Sequence, residues 1–157
     1  MKQNPQLKKA YENMKPGVIT LQGLIGNDHR DLIQILDEDD ATVKELNLTH
    51  EGIAERMKEL RESGKPGLEE FIDVAPHFEV RVSSVRGKLR CPFEDPGLIP
   101  KYNTTVKNLS NGKEITYTDL NIHLIETHGF YQGKGSSFRL NPAELAEIIE
   151  VKKNEGN

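Results

Sequence analysis

Thr105-Val106-Lys107-Asn108-Leu109-Ser110-Asn111-Gly112-Lys113-Glu114-Ile115-Thr116-Tyr117-Thr118-Asp119-Leu120 is the stretch whose reading decides the fold. Residues 105–109 and 114–117 are rich in β-branched and aromatic side chains and flank Asn111-Gly112. That dipeptide is the strongest short-range hairpin signal, because both residues accept a positive φ. The hairpin runs directly into a helix over about 119–128, capped by Thr118 and closed by Gly129. A strand pair that leads into a helix, without a crossover, is an antiparallel arrangement.

The same contrast of periods appears on either side. Upstream, Phe78, Val80 and Val82 alternate with Glu79 and Arg81, a half-buried strand. Arg86-Gly87-Lys88 reads as a turn, with a second strand from Leu89. Pro92, Pro96 and Pro100 make the following stretch an irregular surface excursion. Further upstream the period is helical. Residues 5–14 form a first helix with Asn4 as its cap and Pro5 in its first turn. Val18–Leu21 reads as a short strand. A helix from Asn27 or Asp28 buries Leu32, Ile33, Ile35 and Leu36, and Ala41–Leu46 forms a short one. Thr49 caps a helix carrying Ile53, Ala54, Met57 and Leu60. Downstream, Phe138–Leu140 reads as a short strand, and Asn141-Pro142 starts a last helix that buries Leu145, Ile148 and Ile149.

Helices come before the strands in the first half and after them in the second, with no β-α-β alternation. The expected fold class is α+β, a single domain spanning 1–157, with antiparallel hairpins packed against about four to six short helices. Residues 1–16 form an N-terminal helical arm in this reading, and 153–157 fray. At 157 residues and 35% hydrophobic content the core is modest, and burying surface in a homodimer is one way to extend it.

Charge and cysteine usage narrow the function. A net charge of −4 speaks against a DNA partner, whose binders usually carry a basic footprint. The acidic run Asp37-Glu38-Asp39-Asp40 lacks the alternating oxygen-ligand spacing of a calcium loop and reads as a solvated linker. The one cysteine, Cys91, excludes an intrachain disulfide. It stands next to Arg90 and before a proline, and reads as a buried structural thiol. No apolar export signal or membrane-length stretch is evident, so a cytoplasmic location without a membrane partner is expected.

The candidate site is the segment 119–139. It carries His123 and His128, then Gly133, Lys134, Gly135, Ser136, Ser137 and Arg139. A glycine-hinged polar loop beside a helix bearing histidine and glutamate is a ligand-binding arrangement. Asp119 and Glu126 each share a helical face with His123, a pairing that sets an imidazole tautomer. His123 and His128, five apart, project about 140° from one another, so no shared metal is assigned to them. Spacing before Gly133-Lys134 does not match a nucleotide-phosphate loop, and Gly135 stands where that loop needs Ser or Thr.

The expected function is therefore binding of an anionic small molecule, as a binding protein or an enzyme. Lys134, Ser136, Ser137 and Arg139 would hold the ligand, and His123, Glu126 and His128 would supply acid–base chemistry. The cofactor stays unassigned. The alternative is a regulatory protein. Residues 42–60 resemble a helix-turn-helix, and with the strands that follow, the order resembles a winged helix binding DNA or a protein partner.

Overall fold

The Asn111-Gly112 turn joins β3 (Ile99–Asn108) to β4 (Lys113–Thr118) in antiparallel register, with Asn108 opposite Lys113. Asn108 Oδ1 accepts from the amides of Ser110 and Asn111, and within the loop 109–112 only Gly112 takes a positive φ, +73°. The hairpin thus falls where expected but turns through a four-residue loop held by Asn108, not a two-residue turn with both Asn111 and Gly112 at positive φ. β2 (Phe78–Leu89) pairs with the other edge of β3, and a short β1 (Ile72–Val74) pairs with the start of β2. The result is a four-stranded antiparallel sheet in the order β1-β2-β3-β4. The computed structural model describes residues 5–153, so Asn4 and most of the frayed tail lie outside the described residues.

Five helices accompany the sheet: α1 (Pro5–Asn13), α2 (Leu32–Glu45), α3 (His50–Gly64), α4 (Asp119–His128) and α5 (Pro142–Ile149). The chain is thus a single α+β domain. Three cap residues read from sequence act as expected. Thr49 accepts from Gly52 N, Thr118 from Asn121 N, and Asn141 from the amides of Ala143 and Glu144.

Several local expectations are corrected. Arg86-Gly87-Lys88 is not a turn but a bulge within β2, where the register against β3 shifts between Val85 and Lys88 and Gly87 has φ +99°. The chain reverses only after the proline-rich stretch, so the strand expected from Leu89 is the end of β2. Val18–Leu21 forms bends, with Leu21 87% exposed and no strand partner. Phe138–Leu140 is likewise no strand: Ser137-Phe138 is a turn, and Arg139-Leu140 is irregular. Finally, α2 starts at Leu32, with Asp31 at its N-cap and Asp28 bound instead to Arg30, and it continues unbroken through the acidic run. That run is no linker. Glu38 pairs with Arg30, Asp39 with Arg139, and Asp40 with Lys44 and His50.

Burial divides into two apolar clusters on either side of α4. One gathers α3, α5 and the inner face of the sheet around Ile122 and Ile125. The other gathers α1, α2 and several loops around Leu120 and Leu124. No helix among the described residues is long and apolar enough to cross a membrane.

Candidate functional site

The loop between β2 and β3 and helix α4 bring four donor side chains together: Cys91, Asp95, His123 and His128. Their ligand atoms all lie within 4.8 Å of one another. The Nε2 atoms of His123 and His128 stand 2.9 and 2.7 Å from the same oxygen, Asp95 Oδ2, to which each imidazole N–H donates. The Cys91 thiol donates to that oxygen over 3.6 Å, and its sulfur is also 3.6 Å from His128 Nε2.

Local chemistry explains why these atoms converge. Cys91-Pro92-Phe93-Glu94 is a tight turn, with Glu94 N donating to Cys91 O at 2.9 Å and Glu94 at φ +69°. The turn aims the amides of Phe93 and Asp95 at the Cys91 sulfur. Asn13 from α1 anchors it, donating from Nδ2 to Pro92 O at 2.8 Å. Phe93 then stacks on the His128 ring, centroids 3.9 Å apart and planes 16° apart, and meets Phe130 edge-on. His128 occupies the last position of α4, where Gly129 in the left-handed conformation ends the helix.

The wheel angle between the two histidines does not keep them apart. Their ring centroids are 5.8 Å apart. Helical side chains lean toward the N-terminus, so His128 reaches back along α4 toward His123 while Asp95 fills the gap from outside.

Two of the three protonation shifts suit a cation, and the third, at Cys91, favours the thiol whose proton a metal would have to displace. Burial pushes the Cys91 thiol up, and the Asp95 carboxylate adds to this, while the two amides oppose it in part. Burial alone would raise Asp95, but hydrogen bonds from His128, His123 and Cys91 outweigh it and hold the carboxyl below its ordinary value. Burial lowers His128, against the partial opposition of Asp95, which favours the neutral imidazole that a metal requires. Tetrahedral zinc, with bonds of about 2.0–2.3 Å, spaces its donors roughly 3.3–3.7 Å apart. Both sulfur contacts already have that spacing. The two imidazole–carboxylate contacts would have to open by about half an ångström, as loss of the bridging protons to a cation would allow, and the widest donor pair, within 4.8 Å, would have to close by up to about 1 Å.

The other expected site residues fall elsewhere. Glu126 pairs with Lys58 at 2.7 Å and Asp119 with Arg61 at 3.2 Å, so neither orients His123. Arg139 is bound in a fork to buried Asp39, at 2.6 and 3.0 Å, and also donates to Gln132 O. Ser136 donates to Gln132 Oε1, and Ser137 to Gln22. The Lys134 backbone N–H donates to the Asp28 carboxylate, and the residue is exposed. The glycines serve close approach. A Cβ on Gly133 would sit 2.1 Å from Ile25 O, and one on Gly26 2.4 Å from Ser136 N, so the two glycine loops press against each other.

Sequence reasoning passed over two members of the cluster, Cys91 and Asp95. The signal was present. Cys91-x3-Asp95 and His123-x4-His128 fit the C-x2–4-C and H-x3–5-H spacings of zinc sites once aspartate stands for the second cysteine. Asp95 and His128 also line an open cavity of about 830 Å³ between this loop and α1, with Gln6 and Lys9 on its far wall. Compared with known proteins, the chain matches no family model, no curated protein and no solved structure.

Proposed function

We propose that this is a metal-binding protein in which Cys91, Asp95, His123 and His128 hold one Zn2+ ion. The observation that carries the reading is the convergence of four donor atoms, from two elements far apart in sequence, within 4.8 Å. A thiolate, two imidazoles and a carboxylate form a borderline-soft set that selects zinc over magnesium or calcium, which take oxygen ligands. Thiolate and carboxylate together balance the dication. Four protein ligands close the shell, so the ion acts first as a fastener, tying the proline-rich loop to α4.

Zinc at about a thousandfold over its Kd would stabilise the fold by about 4 kcal/mol. For a chain of this size that is a rise of about 10 °C in Tm. Cobalt substitution reads the same site directly. Tetrahedral d–d bands and a thiolate-to-cobalt transition are expected, with Cys91→Ser removing the latter and His128→Ala abolishing tight binding. A cobalt spectrum without the thiolate band, or a Tm indifferent to zinc, would overturn the reading.

A second reading has the cavity beside Asp95 and His128 in its favour. There Asp95 yields its place, and an anionic small molecule entering past Lys9 takes the fourth position on the metal. Inorganic phosphate or azide perturbing the cobalt spectrum of the wild-type protein would support it. A spectrum unmoved by either anion leaves the ion as a fastener only.

A further inference from the structure

We propose that the free end of the β2–β3 ribbon is a docking surface for the phosphate backbone of duplex DNA. β1 pairs only with Phe78–Val80, and β4 only with Asn103–Asn108. Beyond those limits β2 and β3 pair with each other alone, through Ser84↔Tyr102, Val85↔Lys101, Lys88↔Pro100 and Leu89↔Ile99. That end is a two-stranded arm, and Ser84–Lys88 is exposed without a break.

The arm concentrates cations. Arg86, Lys88 and Lys101 sit on it and Arg90 follows it directly. The Lys101 ammonium lies over Gly87, 3.8 Å from where a Cβ would be, which sets it beside the backbone between Arg86 and Lys88. Among the described residues none of the four is in an ion pair, whereas Arg30, Lys58, Arg61, Lys113 and Arg139 each hold a carboxylate. The two other cations of these strands, Arg81 and Lys107, lie against the Phe71 ring at 5.0 and 4.2 Å. Lys8, Lys9, Lys134, Lys152 and Lys153 also stand outside the ion pairs of the described residues, but they are spread along the chain, whereas this one tip gathers four such cations in a chain of net charge −4.

Shape decides between nucleic acids. Single-strand binders stack bases on exposed aromatics, and the exposed run Ser84–Lys88 has none, while Tyr102 is turned toward Lys65 on the body. A two-stranded ribbon enters the major groove of B-form DNA, about 12 Å wide, but not the narrow one of duplex RNA. Helix α3, the recognition helix of a winged-helix reading, buries Ile53, Met57 and Leu60 and carries Glu51, Glu55 and Glu59 outward, so the ribbon would make the contact.

The test is fluorescence anisotropy of a short labelled duplex of mixed sequence, titrated with the full chain in zinc-containing buffer between about 50 and 200 mM salt. Four phosphate contacts predict a slope of log K on log salt near −3.6, at about −0.9 per contact. Arg86→Glu with Lys88→Glu should weaken binding at least about tenfold and flatten the slope by about 2. Its melting temperature should stay that of the wild type, since both side chains are exposed and unpaired. The proposal fails if the wild type does not bind at the lowest salt, if the double variant binds as tightly, or if single-stranded DNA or duplex RNA binds as well as duplex DNA.

Discussion

The two apolar clusters flanking α4 are built in different ways. The cluster beneath the sheet is made from regular elements: Ile53 and Met57 of α3, Phe78 and Val80 of β2, Val106 of β3, Leu145 and Ile148 of α5. Its backbone groups are satisfied by helix and sheet ladders, and its two buried tyrosine hydroxyls are paired, Tyr117 Oη donating to Met57 O at 2.8 Å and Tyr131 Oη lying 2.9 Å from His50 Nδ1. The second cluster draws Leu24, Ile25, Cys91 and Phe130 from loops. Loops lack ladders, and here they are fastened by polar clips instead: Asp28 to Arg30 and the Lys134 amide, Asp39 to Arg139, Asn13 to Pro92, and the four-donor cluster. Apolar packing supports the first half, and directed charge supports the second.

Substitutions should separate the two halves. Phe78→Ala removes a fully buried ring from the ladder-built half and should cost about 3–5 kcal/mol. In the proposed zinc protein that loss should be the same with and without the ion, read as parallel shifts of chemical denaturation curves. A loss that disappears on zinc addition would show the halves to be one energetic unit. Asp39→Ala, in the clipped half, should cost about 3 kcal/mol, because it leaves the Arg139 guanidinium desolvated and unpaired. Asp39→Ala with Arg139→Met should recover much of that, and a double variant no better than the single would mean the fork is not what holds the loop.

What was legible in the sequence follows the same division. The hairpin at 109–112, the caps Thr49, Thr118 and Asn141, and the buried faces of α3 and α5 are set by residues within a few positions of each other. Features whose causes are distant were not legible. The acidic run stays helical because Asp39 meets Arg139, a hundred positions on. The strand expected at Val18–Leu21 had good local propensity, and no edge of the sheet takes it up. At the candidate site, His123 and His128 stood out by type, but a wheel angle treats a side chain as a short spoke and ignores its lean along the helix. Asp95 was invisible as a ligand because carboxylates abound in this chain. It is marked only by its distance from Cys91, itself a residue with a bland alternative.

Helix α4 belongs to both halves, and its first turn offers the finest comparison. Thr118 Oγ1 accepts from Asn121 N at 3.0 Å, and Asn121 Oδ1 accepts from Thr118 N at 2.8 Å, a reciprocal cap at the end of α4 away from His128. Thr118→Ala should cost about 1 kcal/mol, and Thr118→Ser should restore most of it. Fraying falls off within the first turn, whereas His123 and His128 lie in the second turn and at the last position. The stability gained from zinc should then be the same in Thr118→Ala as in the wild type. If the alanine variant instead melts normally without zinc and loses the gain with it, the cap is a positioning device for the donors, and the start of α4 belongs to the clipped half.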